Sequence, residues 1–306
     1  MSRRLFLFKI NVFCIIALTN VLEYVIIVTL YHSKLFLEEF EMKTKRVLAL
    51  ALAVVMAIGC MMMSACGGSE SKSDLEYVKE KGKLIVGITD FAPMDYKDSD
   101  DKWIGFDADM ATAFAESLGV EVEFVECDWD NKIMELDGKT LDCVWNGMTL
   151  TDEVLEGMAC SNAYCNNAQV VIVKKDVADK YQTADSCKEL NFAVENGSAG
   201  KEQAEAYGFK FTEVKDQATA LLEVASGTSD AAIIDSLMAA AMVGEGTGYE
   251  NLTYTCGLNS EEYGVGFHKG SDIVEKLNQF FKDSYADGTM LKTAEKYGVQ
   301  ASLIEQ

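Results

Sequence analysis

Leu84-Ile85-Val86-Gly87-Ile88, then Phe106-Asp107-Ala108-Asp109-Met110-Ala111-Thr112-Ala113-Phe114-Ala115-Glu116-Ser117-Leu118-Gly119, then Val120-Glu121-Val122-Glu123-Phe124: these three runs decide the fold class. The first is apolar throughout, the pattern of a short strand covered on both faces. The second carries apolar side chains at 106, 110, 113, 114 and 118, a stripe along one side of a helix. Asp107 is placed to cap its start and Gly119 to end it. The third run alternates, as a strand does when one face is wetter than the other. Strand, helix and strand in that order form a βαβ unit, whose crossover helix makes the two strands parallel.

Outward from this unit the pattern repeats. Leu141-Asp142-Cys143-Val144-Trp145 reads as another short strand, and from about Gln169 the grammar starts again. Phe192-Ala193-Val194, Phe209–Val214 and Ala231-Ala232-Ile233-Ile234 read as strands, separated by helices Ser198–Tyr207, ended by Gly208, and Asp216–Ser226, ended by Gly227. Tyr263–Phe267 is a late strand, and Ser271 precedes an amphipathic helix through Phe280, Phe281 and Tyr285. Pro93 is the one proline, and no Pro/Gly-rich linker divides the chain. The fold class expected is α/β with mostly parallel sheets, in two lobes joined by extended crossings.

The N-terminal end carries a different signal. Met42-Lys43-Thr44-Lys45-Arg46 is a basic start, Val47 to Met63 an apolar run, and Ser64-Ala65 stand before Cys66-Gly67-Gly68. Basic, apolar and small-residue regions in that order make a secretory signal, here residues 42–65, and 17 apolar residues are short for a membrane span of about 20. Small residues before Cys66 resemble a lipoprotein cleavage site, whose thiol takes the lipid anchor; Cys60 fits less well because Met61-Met62-Met63 would follow it. Residues 66–73 form a Gly/Ser/Lys/Glu tether. Residues 1–41, interrupted by Asn11, Asn20 and Glu23, are expected to be upstream of the natural start at Met42, with a membrane helix as the alternative.

Composition then excludes function classes. Seven of the 27 Lys and Arg and four of the 49 Asp and Glu fall in 1–65, leaving 20 cationic and 45 acidic side chains and a net charge of −25 in 66–306. That charge argues against nucleic acid, which requires a basic footprint. Arg3, Arg4 and Arg46 are the only arginines, so residues 66–306 have no guanidinium with which to clamp a carboxylate or phosphate. Cys127, Cys143, Cys160, Cys165, Cys187 and Cys256 show no metal-ligand spacing, and His268 is the one histidine after Cys66. Cys160 and Cys165 are close enough in sequence for a loop bridge, with buried free thiols as the alternative.

Several local patterns, taken together and in order, resemble one family. They are Leu84–Gly87 with Phe91-Ala92-Pro93-Met94; Gly105-Phe106-Asp107-Ala108-Asp109-Met110; Trp129-Asp130-Asn131-Lys132-Ile133 with Gly138-Lys139-Thr140-Leu141-Asp142; Gly147-Met148-Thr149-Leu150-Thr151-Asp152-Glu153; Asn196-Gly197-Ser198; and Ser229–Asp235. They are similar to the amino-acid-type (family 3) extracellular solute-binding proteins of ABC importers, over about 83–300. The resemblance implies the type II, two-lobed periplasmic-binding-protein fold. Lobe 1 would be 74–168 plus 258–306 and lobe 2 169–257, with a hinge of two crossings near Asn167–Val171 and Thr255–Asn259. A small-molecule ligand would sit in the cleft, to be passed to an ABC permease and its ATPase. The implied protein is a monomer held by lipid on the outer face of the cytoplasmic membrane, as in Gram-positive lipoproteins, with no cofactor, metal or catalytic residue.

The same resemblance assigns site residues. Asp235 would grip the ligand's amine, the alternative being a side-chain cap for the helix that follows. Thr149 would offer its hydroxyl and N–H, or else only cap a helix near Thr151. Trp129 and Phe91 would sandwich the ligand's body, with ordinary core as the alternative for Phe91. Gly147 and Ser198 belong to the matched signatures. Asn146 would donate and accept toward a ligand amide or carboxylate. In one respect this chain departs from the family: the arginine that clamps an α-carboxylate falls on Val154, and the hydroxyl that assists it falls on Ala199. The expected ligand is therefore held mainly by its amine, with Lys201 and backbone N–H groups at Ser198–Lys201 as the nearby anion donors. The alternatives are a dehydratase-like enzyme, for which Glu195 is the one conceivable acid, and a ligand sensor on the same fold.

Overall fold

The computed structural model describes Ser73–Gln306. Residues 1–41, the signal, Cys66 and the tether up to Lys72 lie outside the described residues.

The apolar and alternating runs become two sheets. The chain begins α1 (Asp74–Lys81), β1 (Lys83–Ile88), a small ribbon of β2 (Tyr96–Lys97) and β3 (Trp103–Ile104), α2 (Phe106–Leu118) and β4 (Glu121–Glu126). It continues with α3 (Lys132–Asp137), β5 (Cys143–Thr149), α4 (Asp152–Gly157), β6 (Ala159–Cys160) and β7 (Cys165–Asn167). A second series follows: β8 (Gln169–Lys174), β9 (Asn191–Glu195), α5 (Ala199–Tyr207), β10 (Lys210–Val214), α6 (Gln217–Ser226), β11 (Ala231–Asp235), α7 (Ser236–Met242) and β12 (Leu252–Gly257). The chain then returns through β13 (Glu261–Phe267) and ends with α8 (Ile273–Ala286) and α9 (Thr289–Tyr297).

The first sheet has the order β4-β1-β5-β13-β6, with β7 also on β13, and the second β10-β9-β11-β8-β12. Two single steps connect them: Ala168 lies between β7 and β8, and residues 258–260 lie between β12 and β13. The two crossings are tied to one another. Leu258 N donates to Gln169 O at 2.8 Å, and Gln169 N to Asn259 Oδ1 at 2.7 Å.

The expectation of mostly parallel sheets is corrected. β1 is parallel to β4 and β5, and β9 to β10 and β11, where helices make the crossovers. β13 runs antiparallel to β5, β6 and β7, and β8 antiparallel to β11 and β12. Both β8 and β13 enter their sheets straight from a crossing, with no helix to turn them round, so the sheets are mixed. A second correction concerns Asp107. Helix α2 has Gly105 at its N-cap position without a side-chain cap, and the Asp107 carboxylate is buried, accepting from Gly147 N at 2.6 Å and Tyr164 Oη at 2.7 Å.

In the first sheet's core, Trp145 meets Phe281 edge-on at 5.5 Å, and Tyr164 lies 5.5 Å from Phe281. In the second, Phe192 stacks on Phe209 at 4.7 Å. Burying each such ring contributes roughly 1.5–3 kcal/mol, so each sheet has its own apolar anchor. The six cysteines in the described residues are thiols. Cys160 pairs with Gly266 and Cys165 with Tyr263, three residues apart along β13. That is a separation of roughly 10 Å, beyond the ~7 Å a disulfide spans, so no loop bridge joins them.

Candidate functional site

One cavity lies between the ends of the two sheets. Its first wall comes from the turn after β1 (Thr89, Asp90, Phe91), from Trp129 and Lys132 around the start of α3, and from the end of β5 with Thr151 and Val154 beyond it. Its second wall comes from the loop after β9 (Glu195, Gly197, Ser198, Ala199), from Gln217 on α6 and from Asp235 at the end of β11. The space between these walls, open solvent at the mouth included, is ≈ 450 Å³. All seven residues singled out from the sequence line it: Phe91, Trp129, Asn146, Gly147, Thr149, Ser198 and Asp235.

Their local chemistry differs. Phe91 and Trp129 are buried apolar walls, and Phe91 packs edge-on to Tyr263 at 6.3 Å. Gly147 has φ +53°, and a Cβ there would lie 2.4 Å from Phe91 Cε1, so the strand end needs glycine on two counts. Thr149 does not cap α4, which is the task of Thr151; its hydroxyl donates to Glu261 Oε1 at 2.9 Å. Ser198 caps α5, accepting from Lys201 N at 3.2 Å and donating to Glu195 O at 2.8 Å. Asn146 is fully occupied inside the protein. Its Oδ1 accepts from Thr89 N and Oγ1 at 3.0 and 2.7 Å, and its Nδ2 donates to Thr89 O and Asp95 Oδ2 at 3.1 and 2.8 Å. With all four positions used, the Asn146 amide shapes the cavity and has nothing left for a ligand.

Asp235 gives α7 no side-chain cap. Its Oδ1 accepts from Gln169 Nε2 at 2.8 Å, from Tyr263 Oη at 2.9 Å and, in a very short contact, from Asn167 Nδ2; its Oδ2 accepts from Gln217 Nε2, also closely. Asn167 and Gln169 donate at the same time to Glu261 Oε1, at 2.6 and 2.8 Å. Asp235 therefore sits where both crossings meet. Burial, and then the neighbouring Glu261, push its carboxyl up to about 8, against the hydrogen bonds from Gln217 and Tyr263. Glu195 is the second buried acid. Burial first, then Asp235 and Asp216, push it up to about 8, and its Oε1 has no hydrogen-bond partner. Gln217 donates to Asp235 and, on the Glu195 side, opposes the rise of that carboxyl.

Three of the side chains here escape a sequence reading. Lys132 is buried, and its ammonium donates to Trp129 O at 3.1 Å and, across the cavity, to Gly197 O at 2.8 Å. Burial lowers its pKa, although Glu153, Glu195 and Asp130 oppose this. It stands in the quoted Trp129–Ile133 block and is the one cation lining the cavity. Lys201, expected as the anion donor, instead pairs with Glu213 at 2.8 Å and Asn196 Oδ1 at 2.9 Å and does not line the cavity. Gln217 and Glu261 had no signal beyond being polar residues near strand ends. Val154 and Ala199 line the cavity facing no arginine, as the composition requires.

The comparisons with known proteins bear on this geometry. A family model described as bacterial extracellular solute-binding proteins, family 3, matches residues 84–300. The chain belongs to that family. Among curated relatives, this solute-binding protein is 31% identical to the arginine-binding extracellular protein ArtP of Bacillus subtilis over 254 residues, 80% of this chain and 96% of the relative. Among solved structures it is similar to the ancestral amino acid-binding protein AncCDT-1, a precursor of cyclohexadienyl dehydratase, at 32% identity and TM-score 0.68, covering 74% of this chain and 99% of that one. It is also similar to an ABC uptake transporter substrate binding protein from Streptococcus pneumoniae with bound histidine, at 28% identity and TM-score 0.68, covering 76% and 99%. The two-lobed type II fold expected from the sequence is borne out by these neighbours.

Proposed function

We propose that this solute-binding protein captures a small amino compound, an amino acid or a related cationic amine, and delivers it to the permease and ATPase of an ABC importer. The observation that carries this reading is the charge of the cavity. Two buried carboxyls, Glu195 and Asp235, face it, Glu195 with its Oε1 unclaimed, against the single cation Lys132. An entering ammonium replaces the proton on one of these acids and gains charge-assisted hydrogen bonds, while Trp129 and Phe91 cover its apolar body. Names of relatives that bind arginine and histidine support an amino-acid ligand.

In this proposal residues 74–168 with 258–306 form one lobe, 169–257 the other, and the two crossings act as the hinge on which they close over the ligand. Cys66 carries a lipid that holds the monomer on the outer face of the cytoplasmic membrane. The site performs no reaction. Glu195 is the acid on which the dehydratase alternative rests, and its proton is what an arriving cation displaces. A thermal-shift panel of amino acids, polyamines, betaines and cyclic amines tests the binding proposal. A true ligand at a hundred times its Kd stabilises by about 2.7 kcal/mol, a rise of roughly 5–10 °C in Tm. A panel that leaves Tm unmoved, or the conversion of any of its members to product, overturns it. For the anchor, Cys66→Ser is expected to release the protein or leave its precursor unprocessed, and lipid still attached to that variant excludes Cys66.

A further inference from the structure

The second lobe holds two thiols that no part of the binding site uses. Cys187 ends the 3-10 turn Ala184–Cys187, which a capping box between Thr183 and Ser186 fixes in place. Its side chain is wholly buried and donates to Thr183 O at 3.3 Å. Cys256 lies on β12 at an irregularity of the ladder: Tyr254 pairs with Ile172 and Gly257 with Val170, so Thr255 and Cys256 together stand opposite Val171. Such a bulge re-aims a side chain. Here Cys256 packs against the cluster that contains both Val171 and Cys187. Burial, and then the neighbouring Cys256 thiol, push the Cys187 thiol up to about 11.

We propose that Cys187 and Cys256 form a disulfide in the exported protein, a covalent staple between the 3-10 turn and the foot of the second crossing. Both sulfurs lie in one cluster on two segments whose backbones are independently held, and a disulfide needs only Cβ atoms ~3.5–4.5 Å apart. The family is extracellular, a setting in which disulfides persist. Cys256, half-buried where Cys187 is wholly buried, reacts first. Its thiolate attacks one sulfur of a small-molecule disulfide and expels one thiolate. The Cys187 thiolate then attacks the Cys256 sulfur of that mixed disulfide and expels the second. One protein S–S bond forms, the small disulfide is reduced to two thiols, and the two protein thiol protons end on those leaving groups.

The staple closes a loop of ~70 residues, long enough for a substantial restriction of the unfolded chain. It also has a place in the mechanism. Gly257 and Leu258 follow directly, and Leu258 O accepts from Tyr207 Oη at 3.1 Å. Fastening Cys256 confines hinge bending to residues beyond it.

The test uses the full chain incubated with oxidised glutathione, then alkylated under denaturing conditions and digested without reductant. The expected product is one cross-linked peptide pair holding Cys187 and Cys256, with Cys127, Cys143, Cys160 and Cys165 alkylated. Tm is expected to rise on the order of 5 °C on oxidation, a rise that Cys256→Ala abolishes. A glutathione adduct that remains on Cys256, cross-links to other cysteines, or two alkylated thiols at 187 and 256 overturn the proposal. The peptide map is read on the unmutated chain, so it stands whether or not the variant folds.

Discussion

Two pairs of buried acids, Asp95 with Asp107 beside the first sheet and Glu195 with Asp235 at strand ends of the second, have almost the same titration chemistry. Asp95 and Asp107 are sealed inside the first lobe. Burial pushes Asp107 up to about 7 and Asp95 well above its ordinary value. Glu195 and Asp235 are as deeply buried and pushed up to about 8 by the same leading cause. The first pair lines no part of the cavity, and its donors are the Gly147 N–H, the Tyr164 hydroxyl and the Asn146 amide. An unclaimed oxygen occurs in both pairs, Oδ1 of Asp95 and of Asp107 and Oε1 of Glu195, but only the second pair faces the cavity. A raised pKa thus reports burial in both places, while access to the cavity separates a binding group from a structural one. The structural pair still serves the site, because Asp107 holds the N–H of Gly147 in the cavity wall.

The largest expected effect tests the sealed pair. Asp107→Ala strands the Gly147 N–H and Tyr164 hydroxyl, a loss of about 3 kcal/mol at ~1–3 kcal/mol per buried unsatisfied group. Denaturant titration should show it, with Tm lower by roughly 5–10 °C. A loss below about 1 kcal/mol would make Asp107 dispensable and dissolve the distinction.

Next comes pH. Asp107, Glu195 and Asp235 have folded pKa values above their unfolded ones, so the native chain retains protons that the unfolded chain has lost. Their contribution to stability is full below about pH 4 and is lost as pH rises toward 7–8. Tm of the ligand-free protein should therefore fall from pH 5 to 8. Affinity for an ammonium ligand should move the opposite way, rising by between one and two orders of magnitude from pH 6 to 8, because the cation expels a proton from Glu195 or Asp235. Calorimetry in buffers of different ionisation enthalpy counts that proton, and Glu195→Gln should flatten the slope. A pH-independent affinity removes the cavity acids from cation recognition.

Asp235→Asn is expected to weaken amine binding at least tenfold, about 1.4 kcal/mol, while the fold survives. Unchanged affinity would falsify its role as the amine partner and leave it a crossing residue alone. The smallest effect concerns the other end of the ligand. Val154 and Ala199 offer no donor, and two of the three Lys132 N–H bonds are directed at Trp129 O and Gly197 O. Replacing a free acid by its amide should therefore cost under about 1 kcal/mol, against the ~2–5 of a broken buried charge pair. A hundredfold preference for the acid would show that Lys132 and the α5 N-terminus form a full carboxylate site.

Strands and helices with strong periodicity were legible in the sequence, with α2 and α5 matching to within a residue because Gly119 and Gly208 stop them. So was the set of residues at strand ends, since a type II fold directs those ends to one cleft. What was not legible depends on distance in the chain. Asp107 looked like a cap, because its true partners lie 40 and 57 residues away. Lys132 and Lys201 exchanged roles because both are lysines near the start of a helix, and only the packing of one lobe on the other decides which points inward. Asn146 looked available because nothing in a sequence says that Thr89 and Asp95 already satisfy it.

The bond from Lys132 to Gly197 is made of protein atoms only, and a Cβ at Gly197 would lie 2.6 Å from Asp130 Cα, so the lobes come together here without an intermediary. Part of the drive to shut is thus written into the polypeptide and does not depend on cargo. Such a contact raises the shut fraction of the empty receptor, which raises apparent affinity for every ligand alike. It also narrows the contrast between loaded and unloaded shapes presented to the importer. Gly197 and Lys132 consequently set a compromise between sensitivity and fidelity: loosening that contact trades tight capture at scarce solute for a transporter less often engaged by an empty carrier.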